Sequence, residues 1–200
     1  HVVFTVPQEL NSLIYSNQQL LYDAMYRCVS ATINELTEDT KHLGARVGYI
    51  CVLHTWGSEM NYHPHVHVIL LGGGLTVKNQ WRDKGEEFFL PVKVMSKLFR
   101  GKYMDELKSL YEAKKLQFHG SSEKYRNRYA FKELLNICYD KDWVPHCKKT
   151  FNGAQSVINY LGKYTHRIAI SNHRIIRMDE NTVTYYVKDY REEGKWKEFT

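Results

Sequence analysis

The chain has 200 residues, of which 43% are hydrophobic and 25% are charged, and its formal net charge is +6 at pH 7. This apolar content can bury one substantial core, which argues for a compact globular chain with one domain. No apolar stretch approaches the length of a membrane span, and residues 1–7 have neither the charged start nor the apolar run of a signal peptide. We therefore expect a cytoplasmic protein with no membrane partner, and the strand-like start suggests a fragment of a longer chain.

The first half of the chain predicts one long helix between strands. Apolar residues recur at helical spacing after Pro7, and two later β-rich runs are separated by a polar turn, so these runs are expected to form a hairpin. The predicted elements are a strand at 2–6, a helix over about 8–36, a strand at 46–56, a turn at 57–62 and a strand that ends at the glycines 72–74.

The second half predicts further helices and a strand pair at its end. The predicted elements are a short strand at 88–92, helices at 95–116 and 123–139, a strand at 144–151, a helix over about 154–165, and a hairpin made by 168–176 and 182–187. This hairpin would belong to an extension over about 168–200. Antiparallel strands with intervening helices predict an α+β fold in which helices flank a central antiparallel sheet.

Residues 63–67 read His-Pro-His-Val-His and continue into an apolar run on the predicted third strand. Because side chains alternate along a strand, His65 and His67 project from one face while Val66 and Val68 project from the other. Two adjacent imidazoles can chelate a metal ion. The alternative is a polar strand face with solvated histidines, which the apolar continuation disfavours.

Two tyrosines share one face of the helix predicted after residue 153. Tyr160 and Tyr164 are four residues apart, which places their Cβ atoms roughly 5–6 Å from each other on a helix. Gly162 lowers the helix propensity between them, and the neighbouring cations favour a phenolate. At this spacing two tyrosines can also be ordinary half-buried packing residues.

The basic residues are concentrated around this helix. Residues 143–178 contain no Asp or Glu but include several Lys and Arg residues. A surface built from this stretch would attract phosphate groups. The alternative is a chance gap in acidic residues that neighbouring segments neutralise. The cations of the stretch are Lys148, Lys149, Lys163, Arg167, Arg174 and Arg177.

Four segments together resemble one protein family. The chain is similar to the HUH nucleases, and within them to the two-tyrosine transposases of rolling-circle insertion sequences, which are related to Helitron and to phage replication initiators. The resemblance implies a ferredoxin-like, RRM-like core with a metal on its central strands and the tyrosines on a facing helix. Family members also carry a zinc module before this region and further sequence after it, so residues 1–200 would be the catalytic domain alone. The segments are 1–7, 54–56, 63–67 and 160–174.

The resemblance implies a metal-dependent strand transferase that acts on single-stranded DNA at transposon ends and at the target. Tyr160 or Tyr164 would attack the scissile phosphate, which leaves a 5′-phosphotyrosine link and a free 3′-hydroxyl. The second tyrosine would allow another strand to be cut before the first is released. Such an enzyme would work beside the nucleoid, in a prokaryotic host.

The expected metal ligands are His65, His67 and a third residue. His54 is the first choice because the hairpin partner of the histidine strand can place its side chain beside the pair, and Glu59 in the turn is the alternative. His63 is expected to line the site. Three imidazoles suit Zn²⁺, Mn²⁺, Co²⁺ or Ni²⁺, whereas the resemblance implies Mg²⁺ or Mn²⁺. We expect Mg²⁺ or Mn²⁺ in function.

The expected DNA contacts come mainly from the acid-free stretch. Cations would hold the phosphate backbone, and aromatic side chains such as Trp56 and Tyr125 would stack on unpaired bases. The cations expected to do so are Lys148, Lys149, Lys163, Arg167 and Arg174.

Two other functions use the same residues. A metal-dependent hydrolase or a cupin-type oxygenase would use the histidines without the tyrosines, but long helices do not suit a cupin barrel. A DNA-binding module with a structural metal would use the basic stretch only to bind phosphates. The four cysteines lie far apart without a C-x-x-C pair, so we expect reduced thiols rather than disulfides or a zinc ribbon.

Overall fold

The computed structural model describes residues 1–85, 90–143, 145–147, 155, 157–159, 162, 169–189 and 195–200. The chain divides into two compact units. The first comprises His1–Leu53 and His65–Phe151, and the second comprises His54–Pro64 and Asn152–Thr200. Antiparallel strands and helices together make the fold α+β, as predicted.

The first sheet has five strands in the order β2-β3-β1-β5, and β4 pairs with β3 beyond this path. β1 runs antiparallel to both β3 and β5, and β4 runs antiparallel to β3. The strand predicted over 46–56 is confirmed at both ends. The bounds are β1 Val2–Thr5, β2 Arg46–Trp56, β3 Tyr62–Leu75, β4 Trp81–Asp83 and β5 His146–Cys147.

One face of this sheet forms the core. Phe4 pairs in register with Val66, and both side chains are fully buried. The ring of Phe4 also packs edge-on against Phe99, at 5.0 Å between centroids. Val2 and Val68 form the next buried pair on the same face. The alternate residues of β1 and β3 therefore face the other side of the sheet.

Four α-helices have both ends within the described residues, and no described helix is long and apolar enough to cross a bilayer. Two short 3-10 helices, Gln8–Leu10 and Gly120–Arg126, precede α1 and α4. Phe99 belongs to α3, so α3 packs on the core face of the sheet. The hydroxyl of Tyr26 on α2 accepts a hydrogen bond from the backbone N–H of Leu53. The α-helix bounds are α1 Asn11–Ser16, α2 Gln18–Glu38, α3 Val92–Glu112 and α4 Arg128–Asp140.

The single helix predicted over residues 8–36 is wrong, because the helix breaks at Asn17. This residue adopts φ −138° and ψ 40°, outside the helical region. Its side-chain amide donates hydrogen bonds to the carbonyls of Leu13 and Gln117, and its side-chain oxygen accepts one from the N–H of Gln117 at 2.7 Å. A partner 100 residues away thus stabilises the break.

Two other predicted elements change their type or their start. The helix predicted over 123–139 begins as a 3-10 helix, and α4 starts only after Asn127, whose side chain accepts hydrogen bonds from the backbone N–H groups of Tyr129 and Ala130. Val92 was expected to end a strand but opens α3 instead, directly after the N-cap residue Pro91. Residues 88 and 89 of that predicted strand lie outside the described residues.

The glycines at 72–74 were expected to end the third strand, but β3 continues through them to Leu75. A Cβ atom on Gly74 would overlap the backbone carbonyl of Arg46 on β2. A Cβ atom on Gly73 would lie 2.8 Å from the carbonyl oxygen of Arg82 on β4. These glycines therefore allow close approach of neighbouring strands rather than a turn.

The Gly74→Ala variant is expected to lose about 1–3 kcal/mol of unfolding free energy, because the added methyl group meets backbone that cannot rotate away. Gly72→Ala is the matched control, since a Cβ atom there meets nothing within 4 Å. Denaturant unfolding of both variants measures the difference. Equal stability of the two variants would contradict the close-approach explanation.

The second unit combines the turn end of the β2–β3 hairpin with a three-stranded sheet in the order β6-β7-β8. β7 runs antiparallel to both neighbours. The predicted C-terminal hairpin is present as β6 and β7, although β6 starts later than expected, and β8 was not predicted. The bounds are β6 Ile175–Met178, β7 Val183–Asp189 and β8 Lys195–Phe199.

All four cysteines are free thiols, as predicted. Burial raises the pKa of both Cys28 and Cys138 to about 12 and that of Cys51 to about 11. Such thiols stay protonated at neutral pH and are poor nucleophiles. Cysteine chemistry at these three positions therefore has no part in the function proposed below.

Candidate metal centre and active site

Three histidines meet on adjacent strands of the first sheet. His54 lies on β2, and His65 and His67 lie on β3, with one potential ligand atom from each within 4.8 Å of the others. This trio, the histidine triad, is the one group of three or more His, Cys, Asp or Glu side chains with metal-binding spacing among the described residues. The structure thus brings together all three histidines that the sequence predicted as ligands.

Strand alternation places the pair on β3. Val66 and Val68 are fully buried on the core face, so His65 and His67 project from the opposite face. The Nε2 atoms of the two imidazoles lie 3.1 Å apart. One ion at a metal–nitrogen distance of roughly 2.0–2.1 Å can bind two nitrogens at that separation.

Ring contacts support two members of the triad. The imidazole of His54 stacks on the indole of Trp56, with centroids 4.9 Å apart and planes 13° from parallel. The ring of His67 lies nearly parallel to that of His1, at 8° with centroids 5.2 Å apart, and meets it edge to edge, with its Nδ1 atom 3.0 Å from Nε2 of His1. Trp56, which was expected to stack on DNA bases, thus stacks on a triad member in this structure.

Sequence reasoning assigned no role to His1. The residue reaches the triad because Val3 pairs in register with His67, and His1, which directly precedes β1, lies two residues before Val3 along the chain. The local sequence shows that His1 and Val3 share a face, but it does not show that β1 is the neighbour of β3. That pairing spans more than 60 residues.

The donor set fits a divalent cation. His54 and His67 are only 7% and 8% exposed, so their imidazoles are largely shielded from solvent. Burial lowers the pKa of His63, which lies next to the site in sequence but is not part of the triad. Imidazole nitrogens grouped without a carboxylate suit a divalent transition-metal ion.

Glu59, the alternative third ligand, is engaged elsewhere. Its carboxylate forms an ion pair with Lys197 on β8, at 3.2 Å, and its backbone carbonyl accepts a hydrogen bond from the hydroxyl of Tyr185. These contacts attach the hairpin turn to the three-stranded sheet of the second unit. The geometry therefore favours His54 over Glu59 as the third ligand.

Arg174 also contacts the hairpin turn. Its guanidinium donates hydrogen bonds to the carbonyls of Ser58, at 3.0 Å, and Tyr186, at 2.7 Å. It also lies 6.0 Å from the ring centroid of Tyr185. These contacts give Arg174 a structural role in the second unit, and its expected contact with DNA stays a prediction.

The remaining site residues fall outside the part of the chain that the structure describes. Their predicted roles therefore stay predictions. They are the tyrosines Tyr160 and Tyr164 and the cations Lys148, Lys149, Lys163 and Arg167.

A protein-family model described as Y2_Tnp, "Putative transposase", matches residues 48–200. The chain belongs to this transposase family. The matched range includes the histidine triad and both tyrosines, and it confirms the resemblance to two-tyrosine transposases that the motifs predicted.

Two curated relatives are also transposases by name. The chain is 38% identical over 201 residues to the "Putative transposase y4qJ" of Sinorhizobium fredii, a match that covers 100% of this chain and 50% of the relative. It is 28% identical over 192 residues to the transposase of insertion sequence element IS801 from Pseudomonas savastanoi pv. phaseolicola, covering 96% of this chain and 45% of the relative. The chain thus spans about half the length of the curated relatives it matches.

Among solved structures, the chain is similar to the conjugative relaxase TrwC in complex with oriT DNA. A metal-free structure of that complex gives a TM-score of 0.42 at 15% identity, and covers 84% of this chain and 73% of the relaxase chain. A metal-bound structure gives 0.42 at 13% identity, with 82% and 70% covered. At this level the similarity assigns no role to any residue here.

The His54→Ala variant is expected to bind Mn²⁺ at least tenfold more weakly than the wild type, because it removes one of three nitrogen ligands. Isothermal titration calorimetry measures the Kd. Glu59→Gln is the control and should bind as the wild type does, since its carboxylate pairs with Lys197. Weaker binding by Glu59→Gln together with unchanged binding by His54→Ala would assign the third ligand to Glu59 instead.

Proposed function

We propose that the chain is the catalytic domain of a rolling-circle transposase that nicks and rejoins single-stranded DNA at the ends of an insertion sequence and at its target. The observation that carries the proposal is the histidine triad, which lies on one sheet face of a chain that belongs to a transposase family. Residues 1–200 would act as one catalytic domain with a C-terminal extension over about 168–200. The zinc module and the C-terminal region would belong to the rest of the protein.

The proposed nucleophile is the phenol oxygen of Tyr160 or Tyr164. It attacks the scissile phosphorus, and the bond from phosphorus to the 3′ oxygen breaks. The phenol loses its proton, and the departing 3′ oxygen gains one. The product is a 5′-phosphotyrosine ester with a free 3′-hydroxyl, so the ester retains the energy needed for joining. The second tyrosine allows a second cut, after which a 3′-hydroxyl attacks an ester and releases the phenol.

The proposed metal ligands are His54, His65 and His67, with Mg²⁺ or Mn²⁺ as the working ion. A divalent cation held there would supply positive charge to the scissile phosphate and polarise it. Imidazole nitrogens favour Mn²⁺ over Mg²⁺ when both are available. The protein's own contribution is to group three imidazoles, with Trp56 stacked on His54 and His1 in contact with His67.

The proposed DNA contacts come from the acid-free stretch, whose cations would neutralise backbone phosphates. Such contacts give affinity and register without reading sequence. The protein would work inside the cell, next to nucleoid DNA. The proposed contacts are Lys148, Lys149, Lys163, Arg167 and Arg174.

The tyrosine assignment is tested with a labelled single-stranded oligonucleotide that carries the end of the element. With Mn²⁺ present, the wild type should become covalently attached, and the Tyr160→Phe/Tyr164→Phe double variant should not, because it lacks both phenol oxygens. Mass spectrometry of the adduct identifies the linked residue. Attachment that persists in the double variant, or a link to another residue, would contradict the assignment.

The His65→Ala variant separates catalysis from DNA binding. We expect metal-dependent cleavage to fall at least 100-fold, while affinity for the uncleaved oligonucleotide stays within about threefold, because backbone phosphates are bound by Lys and Arg. Gel-based cleavage and fluorescence anisotropy measure the two quantities. Cleavage at the wild-type rate would rule out a catalytic metal at the triad, whereas DNA binding without cleavage by the wild type itself would favour a DNA-binding module.

A further inference from the structure

His67 uses its two ring nitrogens in different directions. Its Nε2 atom lies 3.1 Å from Nε2 of His65, on the side where the triad gathers. Its Nδ1 atom lies 3.0 Å from Nε2 of His1 on the neighbouring strand. The two imidazoles of His1 and His67 are nearly parallel, at 8°, with centroids 5.2 Å apart. The Nδ1 edge of His67 thus meets the Nε2 edge of His1, with the two rings close to one plane.

We propose that His1 is a positioning residue for the metal site, which holds His67 in the orientation and tautomer that bind the ion through Nε2. This inference rests on the metal-binding part of the proposed function. A neutral imidazole that gives the lone pair of Nε2 to a metal carries its hydrogen on Nδ1. Nε2 of His1 is placed to accept that hydrogen.

The hydrogen bond restricts one motion of the His67 ring. A half-turn of the imidazole about its bond to Cβ exchanges Nδ1 with Cδ2 and Nε2 with Cε1, and the outline of the ring hardly changes. Packing alone therefore distinguishes the two orientations poorly. The hydrogen bond distinguishes them, because only one orientation places Nδ1–H next to the acceptor on His1. Partners of this kind on ligating histidines typically contribute 10- to 100-fold in metal affinity.

The fold delivers His1 to this position by strand pairing. Val3 pairs with His67 and Thr5 with His65, so β1 runs directly beside the two predicted ligands. Residues two apart on a strand share a face, which puts His1 on the same side as the triad. Strand β1 therefore contributes an imidazole beside His67, while β2 and β3 contribute the predicted ligands.

The test uses two substitutions of His1 and one matched control. His1→Phe keeps an aromatic ring at this position but removes the acceptor. His1→Gln removes the ring but provides a side-chain oxygen that can accept the hydrogen. His146→Phe applies the same His-to-Phe change to an exposed residue of β5, which pairs with Val3 and is not part of the triad.

We expect the Mn²⁺ Kd, measured by calorimetry without DNA, to rise 10- to 100-fold in His1→Phe. His1→Gln should recover at least half of that loss on a logarithmic scale, and His146→Phe should match the wild type. Nitrogen-15 NMR of the His67 ring in the metal-free protein gives a second readout. The wild type and His1→Gln should show the tautomer with hydrogen on Nδ1, and His1→Phe should show a mixture. Circular dichroism checks that each variant is folded.

The inference would be overturned if His1→Phe bound Mn²⁺ with the wild-type affinity. It would also be overturned if His1→Phe and His1→Gln lost Mn²⁺ affinity equally. A metal-bound nitrogen from His1 itself, detected by X-ray absorption as a fourth imidazole lost in His1→Phe, would make His1 a ligand and also overturn it. Absence of Mn²⁺ binding in the wild type would remove the metal site of the proposed function, and this inference with it. That outcome differs from a failure confined to the His1 variants.

Discussion

The site depends on the alternation of side chains along β3 between the buried core face of the sheet and the face that carries the histidines. Val66 and Val68 are fully buried on the core face, in register with Phe4 and Val2 of β1, and this packing fixes which face the intervening histidines occupy. A slip of one residue would turn the imidazoles into the apolar core and the valines outward. Unpaired polar groups would then be buried at a cost of several kcal/mol. The hydrophobic core thus determines where the imidazoles are placed.

The local part of this arrangement could be predicted from sequence. The β-rich run at 46–56, the alternation that pairs His65 with His67, and the hairpin that brings His54 beside them all depend on residues close together in the chain. Two of the errors come from distant partners. The helix break at Asn17 depends on hydrogen bonds with Gln117, and the strand continues through Gly73 and Gly74 because neighbouring backbones approach there.

His1 is a further residue whose position could not be predicted from the local sequence. Its distance from His67 follows from the pairing of β1 with β3, which local patterns do not specify. A metal site is consistent with membership of a transposase family, because transposition requires phosphodiester bonds to be broken and joined. Tyr160 and Tyr164 satisfy the need for a nucleophile by residue type and spacing, and their role stays a proposal.

The central claim is that His54, His65 and His67 bind one divalent cation. Anomalous X-ray diffraction from crystals grown with Mn²⁺, recorded on both sides of the manganese absorption edge, tests it most directly. The account predicts one strong anomalous peak within bonding distance of a ring nitrogen from each of the three residues. A fully occupied peak elsewhere, or no peak at the triad at saturating Mn²⁺, would contradict it.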